Sequence, residues 1–254
     1  KFIFPENCPV CGSLAERELN ESTGKISSVR RCTAGLYCNS QILGSLEFFV
    51  SRDAMNIEGF GGKSMELFYQ MGFINEPGDI FTLQDRQVQG EVDIISLEGW
   101  GELSMNNLFQ SINERRSVSL DKFIYSLGIR HIGINNAKLI SQQLTSVENL
   151  LSTVEKIRHD PDDALQVFIQ NDGLGKVVIS SFLSFLQNDK NVSVLQNLLK
   201  SIRVTDVTNV ISEDTVISGQ SLVFTGKFNS MSRSEAKDQA ERMGAKVLSA
   251  VSTR

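Results

Sequence analysis

All four cysteines of the chain lie in its first 38 residues, as Cys8-Pro9-Val10-Cys11 and then Cys32 and Cys38. The spacing C-x2-C-x20-C-x5-C lets two short knuckles and a connecting loop set four thiolates tetrahedrally around one Zn²⁺. A segment this short and polar buries too little apolar surface to fold unaided, so the metal would supply folding energy. No fifth ligand or neighbouring base accompanies the cysteines, which points to a structural ion. Two alternatives remain. Two disulfides would need an oxidising compartment, and no secretory pattern is present. A rubredoxin-like iron site usually pairs two short C-x2-C loops. Arg30 and Arg31, just before Cys32, either touch a phosphate backbone or are simply solvated.

A second chemistry-bearing pattern is Ile57-Glu58-Gly59-Phe60-Gly61-Gly62-Lys63, a Gly-hydrophobic-Gly turn that opens a helix-forming run. Glycines permit a tight turn at positive φ, expected here at the second glycine as well as the first. The hydrophobic residue between them can tuck inward and pin two helices. Backbone N–H groups and the dipole of the next helix then attract an anion such as phosphate. The pattern recurs as Gly99-Trp100-Gly101 and as Gly173-Leu174-Gly175-Lys176. A degenerate copy, Ile129-Arg130-His131-Ile132-Gly133, has His131 at the first glycine position. Repetition at this period signals a repeated supersecondary unit. Four helix-hairpin-helix units are expected, packed as two pairs that face both strands of one duplex across a groove. The candidate phosphate-contacting residues are Gly59, Gly61, Lys63, Gly99, Gly101, Gly133, Gly173, Gly175 and Lys176, with Arg31. His131 predicts a weaker phosphate nest in the third copy, and Glu102-Leu103 predicts no cationic assist in the second. The simpler alternative is that the glycines only join helices. No catalytic residue is assigned.

The elements that position these residues follow from apolar periodicity. Leu46, Phe49 and Val50 mark one helix, and Met65, Phe68 and Met71 a second. Met105, Leu108 and Ile112 follow the second hairpin. Leu120, Phe123, Ile124 and Leu127 precede the third, and Ala137, Ile140 and Leu144 follow it. Val177, Val178, Phe182 and Phe185 follow the fourth. Thr145-x-x-Glu148 reads as a capping box and Asp160-Pro161 as an N-cap with Pro at N1. Trp100, the single Trp, reads as a buried hairpin plug. After Thr205 the helical pattern lapses. Ser221-Leu222-Val223-Phe224-Thr225-Gly226, a capping box at Ser232-Arg233-Ser234-Glu235, and Gly244-Ala245-Lys246-Val247-Leu248 read as a strand-helix-strand start. The expected fold is mainly α. Its parts are a small four-cysteine zinc finger (1–44), a helix-hairpin-helix domain (45–203), a linker (204–218) and a truncated α/β segment (219–254).

The chain has 254 residues, 41% hydrophobic content and a net charge of −5. No apolar run approaches the ~18 residues of a membrane span. The negative charge argues against a generally basic nucleic-acid coat, but leaves room for backbone N–H groups and a few cations to hold phosphates. The chain begins Lys1-Phe2-Ile3-Phe4 without an initiator Met, so a piece of a longer protein is expected.

In combination these stretches resemble the C-terminal half of bacterial NAD-dependent DNA ligases. The likeness rests on Cys8-Pro9-Val10-Cys11, on Arg31-Cys32-Thr33-Ala34-Gly35-Leu36-Tyr37-Cys38 and on the four hairpins. It extends to Phe49-Val50-Ser51-Arg52-Asp53-Ala54-Met55, Tyr125-Ser126-Leu127-Gly128-Ile129-Arg130, Thr225-Gly226 and Gly244-Ala245. It runs through the family's domain order of zinc finger, four-hairpin domain and BRCT domain. Ala245 departs from the second glycine usual after the first BRCT helix. The resemblance implies that the intact protein seals 5′-phosphate/3′-hydroxyl nicks in duplex DNA in replication and repair, in the bacterial cytoplasm at the nucleoid. It also implies NAD and Mg²⁺ bound by adenylation and oligonucleotide-binding domains upstream of Lys1. The family's covalent lysyl-AMP forms on a Lys-x-Asp-Gly motif, which this sequence does not contain. This segment would then grip the duplex without activating AMP. Two alternatives are a stand-alone DNA-binding or docking module and a helix-hairpin-helix repair enzyme. A glycosylase of that class would need a catalytic Asp, often with a Lys, that the sequence does not offer.

Overall fold

A computed structural model describes residues 5–20, 24–33, 38–160, 168 and 174–207. In the C-terminal part it describes residues 215–226, 228, 231, 236–237, 239–240 and 243–248. The chain divides into two compact units, Lys1–Val207 and Thr208–Arg254.

The first unit opens with an antiparallel ribbon of β1 (Ala15–Asn20) and β2 (Lys25–Cys32). Its remaining described helices are α1 (Asn39–Val50), α2 (Gly62–Gln70), α3 (Pro77–Val88), α4 (Glu102–Glu114), α5 (Leu120–Ser126), α6 (Ile134–Leu144), α7 (Val147–His159), α8 (Lys176–Gln187) and α9 (Asp189–Ser201). The molecule is mainly helical, as the periodicity predicts. Most of these helices turn an apolar stripe inward at i, i+3 and i+4 spacing. Leu46, Phe49 and Val50 are buried on α1, Leu108, Phe109 and Ile112 on α4, and Ala137, Ile140 and Leu144 on α6. These side chains join one continuous core with Ile80, Phe81 and Leu83 of α3 and Leu195 and Leu198 of α9.

Several local expectations shift. Met71 and Val177 are exposed, because α2 ends at Gln70 and the buried stripe of α8 runs through Ile179, Phe182, Leu183 and Leu186. The N-cap of α7 is Ser146, whose side chain accepts from the Asn149 amide. Thr145 is instead the C-cap of α6, at φ 62°. The Asp160-Pro161 cap falls at the edge of the described residues: Asp160 ends α7, and residues 161–167 lie outside them. Helix α3 has no counterpart in the periodicity reading. It starts at Pro77, with the Asp79 carboxylate accepting from the amides of Asn75 (2.8 Å) and Glu76 (3.1 Å).

The segment read as a linker begins inside the first unit. Strand β3 (Ser117–Ser119) pairs in parallel with β4 (Arg203–Thr205), with Val118 opposite Val204. The Val207 amide donates to the Thr145 carbonyl at 2.8 Å. In the second unit β5 (Ser221–Leu222) and β6 (Lys246–Val247) also pair in parallel, which requires a crossover connection. Residues 236–237 and 239–240 within that crossover are helical. The capping box expected at 232–235 lies outside the described residues. Gly244 takes φ +82°, and a Cβ there would stand 2.6 Å from the Ser218 hydroxyl.

Arg116, just past α4, ties the unit together. Its guanidinium donates to the carbonyls of Phe81 (2.6 Å) and Ser201 (3.1 Å) and to the Asn113 side chain (2.8 Å). It also lies 5.8 Å from the Phe81 ring centre. One side chain thus joins the middle of α3 to the ends of α4 and α9. It satisfies the Ser201 carbonyl, which helix geometry leaves open at the end of α9. Arg116→Ala should lower unfolding stability by about 2–3 kcal/mol, measurable by urea denaturation. Arg116→Lys should recover less than half of that loss, because an ammonium cannot reproduce the planar fork.

Candidate metal centre and hairpin surface

The four cysteine sulfurs lie within 4.8 Å of one another. Cys8 and Cys38 approach to 3.9 Å and Cys11 and Cys32 to 3.4 Å, and none of the four forms a disulfide. A tetrahedral ion with Zn–S bonds of about 2.3 Å needs sulfurs about 3.8 Å apart, so the cluster has the dimensions of such a site. Local structure builds it. The Cys8–Cys11 knuckle closes through Cys8 N–H to Ser13 O (2.7 Å) and Gly12 N–H to Cys8 O (2.9 Å), with Gly12 at φ 74°. Cys32 ends β2. Cys38 is the buried N-cap of α1, and the Gln41 side chain donates to the Cys32 carbonyl at 3.0 Å. Hydrogen bonds from the Ser13 side chain and then its backbone lower the Cys11 pKa from 9.0 to about 6. A thiolate is thereby favoured where a metal ligand is needed.

The two arginines before Cys32 separate. Arg30 turns back onto the ribbon, donating to the Ala15 carbonyl at 2.9 Å and approaching Glu6 at 3.8 Å. Arg31 is exposed. The His131 pKa is lowered first by partial desolvation, then by the charges of Arg130 and Arg31. The charge of Arg31 in the finger thus acts on a hairpin residue far from it in sequence.

The hairpins share one backbone recipe. The first position is left-handed: Gly59 at φ 99°, Gly99 at 81° and His131 at 61°. The last position is an extended N-cap: Gly61 at φ −75°, Gly101 at −147°, Gly133 at −84° and Gly175 at −71°. The positive φ expected at Gly61 and Gly175 is therefore wrong; that conformation belongs to the first position. Gly173 lies outside the described residues. A Cβ on Gly61, Gly101, Gly133 or Gly175 would meet nothing within 4 Å. No internal neighbour excludes a side chain there, and what glycine leaves is open space over the first amides of each helix. Gly61, Gly133 and Gly175 provide no side-chain cap. At Gly101 the amide donates to the Ser104 hydroxyl at 2.9 Å. Lys63 and Lys176 are exposed on the first turns of α2 and α8, whereas α4 begins with Glu102.

The plug residues turn inward. Phe60 and Trp100 both pack on Phe68 of α2, with ring centres at 5.5 and 4.9 Å. Gly59 is backed by Leu108 of α4, and the Glu58 amide donates to the Ser111 hydroxyl at 2.7 Å. The first two hairpins are thus one interlocked pair.

A family model described as a helix-hairpin-helix motif matches residues 122–195, which include the third and fourth hairpins. Helices joined by these hairpins and a four-cysteine cluster define the class: a helix-hairpin-helix protein with a small cysteine-bearing ribbon. Along its whole length the chain matches part of the DNA ligases of bacteria. It is 42% identical over 259 residues to the DNA ligase of Xanthobacter autotrophicus, covering 100% of this chain and 36% of that protein. It is 39% identical over 255 residues to that of Sinorhizobium fredii (99% and 36%) and 40% identical over 255 residues to that of Parvibaculum lavamentivorans (100% and 36%). The chain thus matches one segment of these bacterial DNA ligases and spans about a third of the relatives' length.

The two hairpin positions should respond differently to a methyl group. Gly59→Ala should cost about 1–2 kcal/mol of stability, because φ is left-handed and Leu108 would stand 3.1 Å from the new carbon. Gly61→Ala should cost less than about 0.7 kcal/mol, the difference between Gly and Ala at an N-cap. Chemical denaturation of both variants measures the contrast.

Proposed function

We propose that this chain is the DNA-gripping, non-catalytic portion of an NAD-dependent DNA ligase. In this reading the intact enzyme joins 5′-phosphate to 3′-hydroxyl at nicks in duplex DNA. The observation that carries it is the match of the whole chain to one segment of the DNA ligases. NAD and Mg²⁺ would serve domains outside this sequence, which has no Lys-x-Asp-Gly to carry AMP.

Cys8, Cys11, Cys32 and Cys38 would hold one structural Zn²⁺ that fixes the finger against α1. The amides after Gly61, Gly101, Gly133 and Gly175 would each face a phosphate, with Lys63 and Lys176 adding charge. Gly59, Gly99 and Gly173 would set the turns. Arg31 would extend the third hairpin's footprint. Such contacts position a protein on DNA without reading its sequence. Among the described residues no helix is long and apolar enough to cross a membrane.

Protein purified without chelators should contain one zinc per chain by elemental analysis, and Cys8→Ser or Cys32→Ser should lose it. Absence of stoichiometric zinc in the wild type would end the metal assignment.

With NAD, Mg²⁺ and nicked DNA the chain should bind the duplex yet retain no covalent AMP. Fluorescence anisotropy of the binding should show strong salt dependence, and Lys63→Ala should reduce the salt slope by about one unit. AMP covalently attached to pure chain, or a wild type that fails to bind duplex DNA at low salt, would refute the assignment.

A further inference from the structure

In the described helical part of the first unit, six large apolar side chains are exposed: Met71, Val88, Ile95, Leu103, Ile134 and Val177. Isolated exposed apolar residues are ordinary on protein surfaces and need no explanation. Three of these six, however, share one structural position. Leu103, Ile134 and Val177 sit on the first turn of α4, α6 and α8, the helices that leave the second, third and fourth hairpins. They are 76%, 49% and 52% exposed. None belongs to the buried stripe of its helix, which is Leu108, Phe109 and Ile112 on α4 and equivalent sets on the others. Helix propensity does not favour Ile or Val at these positions, and the dipole would favour an acidic residue.

The surroundings of Val177 bear most directly on what covers it: it adjoins Lys176, exposed on the same turn, whereas Leu103 follows Glu102 and the first turn of α6 at Ile134 carries no charge. All three lie beside the open glycine N-caps. A purely apolar protein partner would have to desolvate that lysine. A nucleic-acid strand would not, because its phosphates alternate with deoxyribose rings whose C–H faces are apolar. Ile134 and Val177 also fall within the helix-hairpin-helix match.

We propose that Leu103, Ile134 and Val177 pack against deoxyribose faces of duplex DNA, next to the phosphates facing the hairpin amides. They supply a share of affinity that salt does not screen. The inference rests on the DNA-binding reading above. It divides the labour: lysines and amides set the salt-dependent part, and the apolar first turns set the salt-independent part.

The test uses the full 254-residue chain, a fluorescein-labelled nicked duplex and anisotropy titrations over a range of NaCl concentrations. Leu103→Ser, Ile134→Ser and Val177→Ser should each weaken binding by about three- to tenfold at every salt concentration. Plots of log affinity against log salt should stay parallel to the wild type, because no phosphate contact is lost. Leu103→Met, which keeps an apolar side chain of similar size, should bind more tightly than Leu103→Ser. Val88→Ser, which changes an 83% exposed residue at the far end of α3, should also leave it unchanged. Serine variants that bind within twofold of the wild type would overturn the proposal. So would a Val88→Ser effect as large as theirs. If those variants are silent while Lys63→Ala still lowers the salt slope, the DNA-binding reading stands and only this inference falls. If the wild type does not bind DNA, both fall.

Discussion

The backbone sequence of a left-handed residue, an inward-turned apolar residue and an extended N-cap is the constraint on which the helical unit depends. It reverses the chain within three residues and starts the next helix at a defined angle. Gly59 and Gly99 enter the left-handed region without a Cβ clash. His131 enters it at φ 61°, at a cost on the order of 1 kcal/mol. The third hairpin has the same extended N-cap at Gly133, so the surrounding structure holds the turn despite that cost. Its plug Ile132 and flanking Ile129 are both buried, and the Asn136 side chain donates to the His131 carbonyl at 2.9 Å. Packing on both sides of the turn supplies what the missing glycine does not.

Once the turns are set, the plugs determine how hairpins pair. Phe60 and Trp100 come from different hairpins and meet on the same ring, Phe68. The first hairpin also rests on α4, the second hairpin's helix, through Gly59 and Ser111. Moving either turn therefore disturbs both. The same inward packing leaves outward the amides, the N-cap glycines and the first-turn side chains. Lys63 and Lys176 offer charge there, and Leu103, Ile134 and Val177 offer apolar surface. A chain with a net charge of −5 can thus present localised anion-facing sites, because the first turns of α2, α6 and α8 hold no acidic residue. The second hairpin is the exception, with Glu102 on the first turn of α4.

The finger solves a different problem. Among its described residues Val10, Leu14, Ile26 and Val29 are exposed, and the buried apolar side chains are those of Ala15 and Cys38. A metal held by the four sulfurs, which are spaced for one tetrahedral ion, would compensate for that thin core. Cys38 belongs to the cluster and to the start of α1 at once, so a bound metal would brace the ribbon directly against the helical core. Arg31 then lies close enough to His131 for its charge to act on the imidazole.

By itself the sequence determined the features with strong local signals. The cysteine spacing marks the cluster, and the Gly-hydrophobic-Gly repeats mark the hairpins. The apolar periodicity marks α1, α2, α4, α5 and α6, because covalent proximity and helical pitch alone place those residues together. The tertiary structure decided what depends on distant partners. Which glycine is left-handed is settled only in the folded turn, where Gly59 and Gly99 take positive φ and Gly61 and Gly101 are extended N-caps. Helix α3 lacks a simple apolar stripe and is held by Asp79 and by the core around Phe81. Residues 204–207 read as linker because so short a strand carries no usable period, yet β4 exists through pairing with β3, more than 80 positions earlier in the chain. Arg116 looks like any surface arginine until Phe81 and Ser201 are brought to it. Arg30 and Arg31 are alike in sequence, and only the pleat of β2 sends one to a carbonyl and the other to solvent.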